Sequence, residues 1–368
     1  MNKNNTLLSI CIPVYNQQDL VKTCIEKILE SQLQNIEIVI NDDCSTTPIE
    51  NMVKSFSDTR LKYFRNKENL GHDRNIISSF MNASADYCFL LRSRDFILPQ
   101  GLKEIYEYLE NNTCAYLTTS AYDSNNVPKL VYNNYIYKMG ADALNAHNNL
   151  YVHPSGSIYN KKYMNLTELD KFLVNLNISK YNFTVHTLMR LQLALKGDFV
   201  TLKTYSWVYS DTTESKDVAM NKSEKKISVY DTVYELERYK TVMLWCDHIM
   251  DSNYKYQQFL RIFSDFLYAS TWNNKLVYNN KQLQKHYNFD YRKVRCNEER
   301  KIFLNYTKDI EKILNIENEN YYINKRILIL KNVTIDGMKY LWLLIRTKIP
   351  FKTKIKRILF SAFPILRR

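Results

Sequence analysis

Between Leu7 and Asn41 the chain spells strand, helix, strand, an order that confines it to an α/β fold with parallel strands. Leu7-Leu8-Ser9-Ile10-Cys11-Ile12-Pro13-Val14-Tyr15-Asn16 is a mainly apolar run stopped by Pro and Asn, the pattern of a buried strand. Val21, Cys24, Ile25, Ile28 and Leu29 then fall at i, i+3, i+4, i+7 and i+8, with Lys22, Glu26, Lys27 and Glu30 on the other face. That is one amphipathic helix. Ile36 to Ile40 forms a second strand and runs into the polar loop Asn41-Asp42-Asp43-Cys44-Ser45. The result is a βαβ unit with two carboxylates at the carboxyl end of its second strand, the edge at which open α/β sheets bind ligands.

The alternation continues. Leu61 to Phe64 reads as a strand, Asn69-Leu70-Gly71-His72-Asp73-Arg74-Asn75 opens a helix to Met81, Tyr87 to Leu91 is again a strand, and Phe96-Ile97-Leu98-Pro99 follows. In these residues the chain resembles the GT-A fold glycosyltransferases of family 2, of bacterial surface-glycan type. Pro13-Val14-Tyr15-Asn16 matches the family's P-x-Y-N, Asp42-Asp43-Cys44-Ser45 its D-D-x-S, and Asn69 to Asn75 its N-x-G...R-N. The word Leu91-Arg92-Ser93-Arg94-Asp95, counted back from Pro99, stands where the family carries D-x-D-D-x-x-x-P. The resemblance covers about the first 110 residues, fades through about residue 205 and is silent beyond. It implies an α/β, Rossmann-like, mostly parallel sheet flanked by helices, followed here by a C-terminal helical extension.

Transfer from a nucleotide-sugar needs a grip on the base, relief of charge on the departing diphosphate and a base for the acceptor hydroxyl. The resemblance places Asp43 at the family's nucleobase-binding carboxylate and Tyr15, beside Pro13, at its aromatic contact. The competing readings are a loop cap for the helix at Pro48 and a strand-end core aromatic. Asp42 is assigned to orienting the loop, and Arg74 either lies near the nucleotide or is a helix arginine paired with neighbours of Asp73. At the third position of the acidic motif, where a carboxylate normally holds a divalent metal, this chain has Arg94. Mg²⁺ or Mn²⁺ seeks oxygen ligands, which leaves Asp95 as the candidate metal ligand and the metal itself in question. Either Arg94, with Arg92 and Ser93 beside it, replaces the metal and hydrogen-bonds the diphosphate, or Arg94 merely pairs with Asp95 and the donor site is degenerate. For the base, counting back from Gly197 brings His186 near the position where the family has Asp or Glu. A half-buried helix histidine is the alternative, with Asp170, Glu168 and Asp198 as other candidates and His153, in Tyr151 to Tyr159, as a further acceptor-side contact.

Composition limits the rest. At 368 residues and 45% hydrophobic content there is room for one domain of this size and a smaller appendage. The seven cysteines form no C-x-x-C pair, which indicates reduced, cytosolic usage. No signal peptide is visible and no apolar run approaches the ~20 residues that span a bilayer. The net charge of +13 gathers at the end, where Lys339 to Arg368 holds nine basic residues and no acidic one, interleaved with Tyr340, Trp342, Phe360 and aliphatic residues. That mixture fits an interfacial anchor on an anionic membrane, against the alternative of a tail packed on the body. No nucleic-acid motif accompanies it.

Between these parts, an amphipathic helix at 101–110, strands at 115–120 and 130–135, a helix at 182–196 stopped by a left-handed Gly197, and a strand at 199–205 are expected. The charged stretch Asp211 to Lys226 marks a boundary, and the pattern is helical from there to about residue 318. The expected organisation is thus a transferase domain at 1–210, a helical domain at 211–325 and a basic amphipathic tail at 326–368. The expected activity is inverting transfer from a nucleoside-diphosphate sugar, UDP favoured, to a hydroxyl of a surface polysaccharide or lipid-linked glycan, by a peripheral protein on the inner face of the membrane. An inert relative that binds nucleotide or glycan is the competing class. A sugar nucleotidyltransferase fits less well, because its glycine-rich and basic N-terminal loop is absent.

Overall fold

The computed structural model describes residues 6–150, 152–177, 183–210, 232–270 and 296–346. It divides into two units, Met1–Val229 and Tyr230–Arg368.

The first unit is built on the strands β1 (Leu8–Val14), β2 (Ile36–Asp42), β3 (Leu61–Arg65) and β4 (Tyr87–Leu90), parallel and in the order β3-β2-β1-β4. Helices α1 (Gln18–Leu29), α2 (Glu50–Lys54) and α3 (His72–Asn82) make the crossovers. β1, β2 and β4 are covered on both faces and are buried almost throughout, so their sequences read as continuous apolar runs. The polar exceptions are paired: the Ser9 hydroxyl donates to Glu37 (2.5 Å), which also accepts from the Ser84 amide. α1 turns Val21, Cys24, Ile25 and Ile28 into the core, the stripe its spacing predicts.

The sheet then turns mixed. β5 (Phe96–Ile97), β6 (Tyr116–Asp123), β7 (Pro128–Leu130), β8 (Tyr135–Tyr137), β9 (Ser157–Asn160) and β10 (Phe199–Tyr209) extend it to the order β3-β2-β1-β4-β9-β6-β10-β5, with β7 on β6 and β8 on β10. β9 runs antiparallel between β4 and β6, whereas β6 and β10 are parallel. Helix α4 (Pro99–Asn111) starts with Pro in its first turn, and its Gly101 lies so close to β10 that a Cβ there would sit 2.3 Å from the Tyr205 carbonyl oxygen. α5 (Ala141–Asn149), α6 (Leu166–Asn175) and α7 (Val185–Ala194) complete the unit.

Three local expectations are corrected. The strand expected at 130–135 is two strands with different partners, because the Asn133 carbonyl and Asn134 side chain are taken by Thr201 and Lys203 of β10. The helix expected at 182–196 is shorter at both ends, within the described residues. Gly197 has no left-handed φ; it is small because a Cβ would meet that of Ala115 at 2.9 Å.

The second unit contains α8 (Thr232–Ile249), α9 (Ser252–Tyr268), α10 (Cys296–Ile313) and α11 (Glu319–Arg346). Its core is aromatic, with Tyr239, Phe259, Phe263, Phe303 and Tyr321 buried, and a buried Glu311 held by Lys325 and by the Tyr321 hydroxyl (2.8 Å). The helical pattern continues past residue 318 through α11. The charged boundary stretch and residues 347–368 of the basic tail lie outside the described residues. Among the described residues no helix is long and apolar enough to cross a membrane.

Candidate active site

The strand order reverses direction between β1 and β4, and the carboxyl ends of such neighbours diverge into a crevice. A cavity of about 510 Å³ opens there, a size suited to a small-molecule ligand. Pro13 near the end of β1, Tyr15 just after it, Asp43 after β2, and Arg92, Ser93 and Arg94 after β4 all line it. On the opposite side lie His72 of α3, His153 before β9, and His186 and Arg190 of α7.

The first two loops are tied together before any ligand arrives. The Asn16 amide donates to the Ser45 hydroxyl (2.9 Å), the Thr46 amide donates to the Asn16 side chain (2.8 Å), and the Asp43 amide donates to the Val14 carbonyl (2.8 Å). Asp43 then clasps the third loop: Oδ1 accepts from the Asn66 side chain (2.9 Å) and the Leu70 amide (2.8 Å), and Oδ2 from the Gly71 amide (2.9 Å). Gly71 has φ of 85°, a conformation that favours glycine and aims its N–H at Asp43. Asp43 therefore does not cap the helix after Pro48. Asn75 of the same motif is buried, donating to the Asn41 and Val14 carbonyls and accepting from the side chains of Asn41 (2.7 Å) and Asn66 (3.0 Å). Asp42, fully buried and outside the cavity lining, accepts from Tyr63 (2.7 Å), Arg65 (2.5 Å) and the Ser45 amide (2.8 Å), which makes it an organiser of its loop.

The Arg-Ser-Arg-Asp word separates into two functions. Arg92, not Arg94, pairs with Asp95, its Nε 2.7 Å from Oδ2 and its Nη2 3.0 Å from Oδ1. Asp95 also accepts from the Ser155 hydroxyl (2.5 Å) and the Ser210 amide (3.1 Å), and it is wholly buried. A carboxylate with both oxygens engaged in this way presents no ligand face to a divalent cation, so the metal role expected for Asp95 does not fit the residues present. Among the described residues, no group of three or more His, Cys, Asp or Glu could hold a metal ion. Ser93 is buried, its hydroxyl bonded to Gln17 and its carbonyl receiving the Cys24 thiol at 3.1 Å. Arg94 is half-buried in the cavity wall.

On the other side, His186 has Nδ1 3.3 Å from the Tyr159 hydroxyl, while Nε2 is buried and has no hydrogen-bond partner among the described residues. Burial, then the neighbouring His72, pushes its pKa down to about 3, so the imidazole is neutral at physiological pH. The His72 ring is 5.8 Å from that of His186 between centroids and donates through Nδ1 to Asp73 (2.8 Å). Burial works to raise the Asp73 pKa, but the hydrogen bond from His72 and the donors of α7 hold it below the usual carboxylate range. Those donors are the Thr184 amide (2.8 Å) and the Val185 amide (3.2 Å), so Asp73 of α3 caps the start of α7. His153 accepts from the Ser155 amide at Nδ1 (3.1 Å) and stacks on Trp207 at 4.8 Å; burial, then the charge of Arg92, keeps it neutral.

Arg74 is not in the cavity lining: its guanidinium forks onto Asp170 of α6 at 2.8 and 3.1 Å. That pair removes Asp170 from the free carboxylates, and Asp198 is engaged with Lys138 at 2.8 Å; neither lines the cavity, nor does Glu168. Sequence reasoning passed over Gln17, His72, Tyr159, Phe183 and Arg190 as site residues. Of these, His72 lies inside the Asn69–Asn75 motif, Tyr159 ends the 151–159 segment, and Arg190 stands four residues after His186 on one helix face, whereas Gln17 and Phe183 carried no signal.

Residues 9–166 match the family model for Glycosyl transferase family 2, and this segment carries that fold. Over 116 residues the chain is 34% identical to the abequosyltransferase RfbV of Salmonella typhimurium, a match covering 30% of this chain and 35% of that protein. Over 71 residues it is 38% identical to the putative colanic acid biosynthesis glycosyl transferase WcaA of Escherichia coli, covering 19% and 25%. The matches thus span about a third or less of these curated relatives. Among solved structures, S. aureus TarS 1-349 in complex with UDP-GlcNAc aligns with TM-score 0.48 and 13% identity, over 82% of this chain and 92% of that one. The mannosyltransferase PcManGT of Pyrobaculum calidifontis, in complex with GDP-Man and Mn²⁺, aligns with TM-score 0.43 and 11% identity, over 90% and 88%.

Proposed function

We propose that the chain is a glycosyltransferase that moves a sugar, with inversion, from a nucleoside-diphosphate donor to a hydroxyl of a surface glycan. The observation that carries this reading is the convergence of Tyr15, Asp43, Arg94 and His186 on one cavity at the carboxyl edge of β1, β2 and β4. Tyr15 and Asp43 hold the nucleobase, for which UDP is the favoured donor nucleotide. Arg94 faces the leaving diphosphate, and Arg92, oriented and charge-balanced by Asp95, offers its remaining N–H donors beside it. The acceptor oxygen attacks the anomeric carbon, the bond to the diphosphate breaks with its electron pair, and the acceptor proton passes to Nε2 of His186. The surface-glycan acceptor rests on the likeness to RfbV and WcaA, whose names carry sugar transfer and colanic acid biosynthesis. The basic, aromatic composition of 339–368 supports attachment to an anionic membrane surface, with the catalytic unit on the cytosolic side.

Turnover of a UDP-sugar panel in EDTA tests the core of this reading. Transfer is expected to survive chelation, and Arg94→Ala to slow it by about 2.7–4 kcal/mol of barrier, on the order of 10² to 10³ in rate. Arg94→Lys should recover part of the loss, since an ammonium cannot fork across two phosphate oxygens. Activity abolished by EDTA and restored by Mn²⁺ would overturn the arginine-for-metal assignment. UDP binding without turnover under any metal condition would overturn the enzyme reading itself.

A further inference from the structure

We infer that the α7 side of the cavity receives an anionic group, a carboxylate or a phosphate carried by the transferred sugar or by the acceptor, and that Arg190 is the residue that selects it. The inference rests on reading the cavity as a nucleotide-sugar transferase site.

Arg190 sits on the cavity wall yet is only 5% exposed. Its Nη2 donates to the His147 carbonyl (3.0 Å), and its guanidinium lies 5.3 Å from the Tyr116 ring centre. Nε is buried with no hydrogen-bond partner among the described residues. No carboxylate pairs with Arg190 among the described residues, whereas Arg60, Arg65, Arg74 and Arg92 of the same unit each have one. Removing a guanidinium from water without a counter-charge is costly, and one carbonyl and one aromatic face return only part of that cost. A ligand anion supplies what is missing, because carboxylate and phosphate oxygens match the donor geometry of the guanidinium.

The charge of the cavity points the same way. Asp43 is the acidic residue among those lining it, against Arg94 and Arg190, while the charge of Arg92 is balanced by its pair with Asp95. Arg92 and Arg94 follow β4, on the side assigned to the diphosphate, while Arg190 projects from α7 beside His186. The Arg190 charge is one of the influences that lower the His186 pKa. An anion on Arg190 would offset that influence and raise the basicity of the imidazole as substrate arrives. The simpler alternative is structural: His147 lies in the last turn of α5, and Arg190 serves that helix end and nothing else.

Binding measurements on the full chain separate these readings. UDP alone sets the baseline. One arm compares UDP-glucuronate with UDP-glucose, which asks for charge on the donor sugar. The second compares glucuronate with glucose, and glycerol 3-phosphate with glycerol, on protein saturated with UDP, which asks for charge on the acceptor. The anionic member of a pair is expected to bind about ten- to a hundred-fold more tightly in one arm. Arg190→Met should abolish that preference while leaving UDP affinity unchanged, and the bound anion should raise the His186 pKa read by NMR. Equal binding of both members in every pair overturns the inference, as does a preference that survives in Arg190→Met. Should Arg190→Met fail to fold, the wild-type pairs and Arg190→Lys, which should keep a reduced preference, decide it. If UDP itself does not bind, the nucleotide reading fails separately, and the glucuronate and glycerol 3-phosphate pairs run without nucleotide still decide the anion site.

Discussion

Replacing Asp43 by Ala removes the proposed nucleobase contact and, in the same step, unfastens a loop. Three donors converge on this carboxylate: the amides of Leu70 and Gly71 and the side chain of Asn66, at 2.8 to 2.9 Å. Each buried donor left without an acceptor costs about 1–3 kcal/mol, but the cavity admits water to this edge, so the total expected for Asp43→Ala is about 3 kcal/mol. For a unit of this size that corresponds to a fall in Tm of about 6–12 °C. Asp43→Asn keeps one oxygen for Asn66 and Leu70 and turns an N–H₂ toward the Gly71 amide, so it should lose about half as much. Thermal unfolding therefore orders the proteins as wild type, Asp43→Asn, Asp43→Ala. Calorimetric titration with UDP, below the transition of the weakest variant, should show affinity reduced by about 1–3 kcal/mol in Asp43→Ala. An Asp43→Ala protein that melts within a degree of wild type refutes the clasp. Unchanged UDP affinity in a folded variant refutes the base contact.

Gly156 has φ of 80°, and a Cβ there would lie 2.0 Å from Nε1 of Trp207; Gly156→Ala should destabilise by about 2–4 kcal/mol and shift Trp207 fluorescence, whereas a silent variant would mean that this turn is not packed as described. His186 should show no titration of its ring signals between pH 5 and 8 in the ligand-free protein, because burial and His72 hold its pKa down to about 3. The unfolded chain takes that proton near pH 6.5 and the native one does not, so stability is fully present above pH ~6.5 and falls as pH drops toward 3; His186→Gln should flatten this slope in urea unfolding. Asp73 behaves as a carboxylate with a depressed pKa: its contribution is present above pH ~3.9 and lost as pH falls through the lower native value. Asp73→Ala, which uncaps α7, should cost about 1–2 kcal/mol at pH 7 and markedly less at pH 2, measured by urea midpoint, and an equal loss at both would contradict the assignment.

The sequence determined the layered core. Val21, Cys24, Ile25 and Ile28 announce one helix face, and the apolar runs at 8–14, 36–40 and 87–90 announce buried parallel strands, since burial periodicity is written in neighbouring residues. Position along the chain also placed Tyr15, Asp43, Arg94 and His186 at strand and helix ends that face one crevice. What each does there was decided by partners distant in sequence. Asp95 closes on Arg92 with help from Ser155 and Ser210, so its oxygens are spent on protein rather than on a cation. Arg74 finds Asp170 across 96 residues, and Asp73 caps a helix 111 residues away. Arg190 is an ordinary helix residue in the sequence, and only the packing of α7 against the cavity leaves its charge buried without a carboxylate among the described residues. Hydrophobic pattern is a local property that survives any arrangement of the remaining chain, whereas the pairing of charges is a property of which segments meet, and that is settled only when the sheet closes and its loops come together.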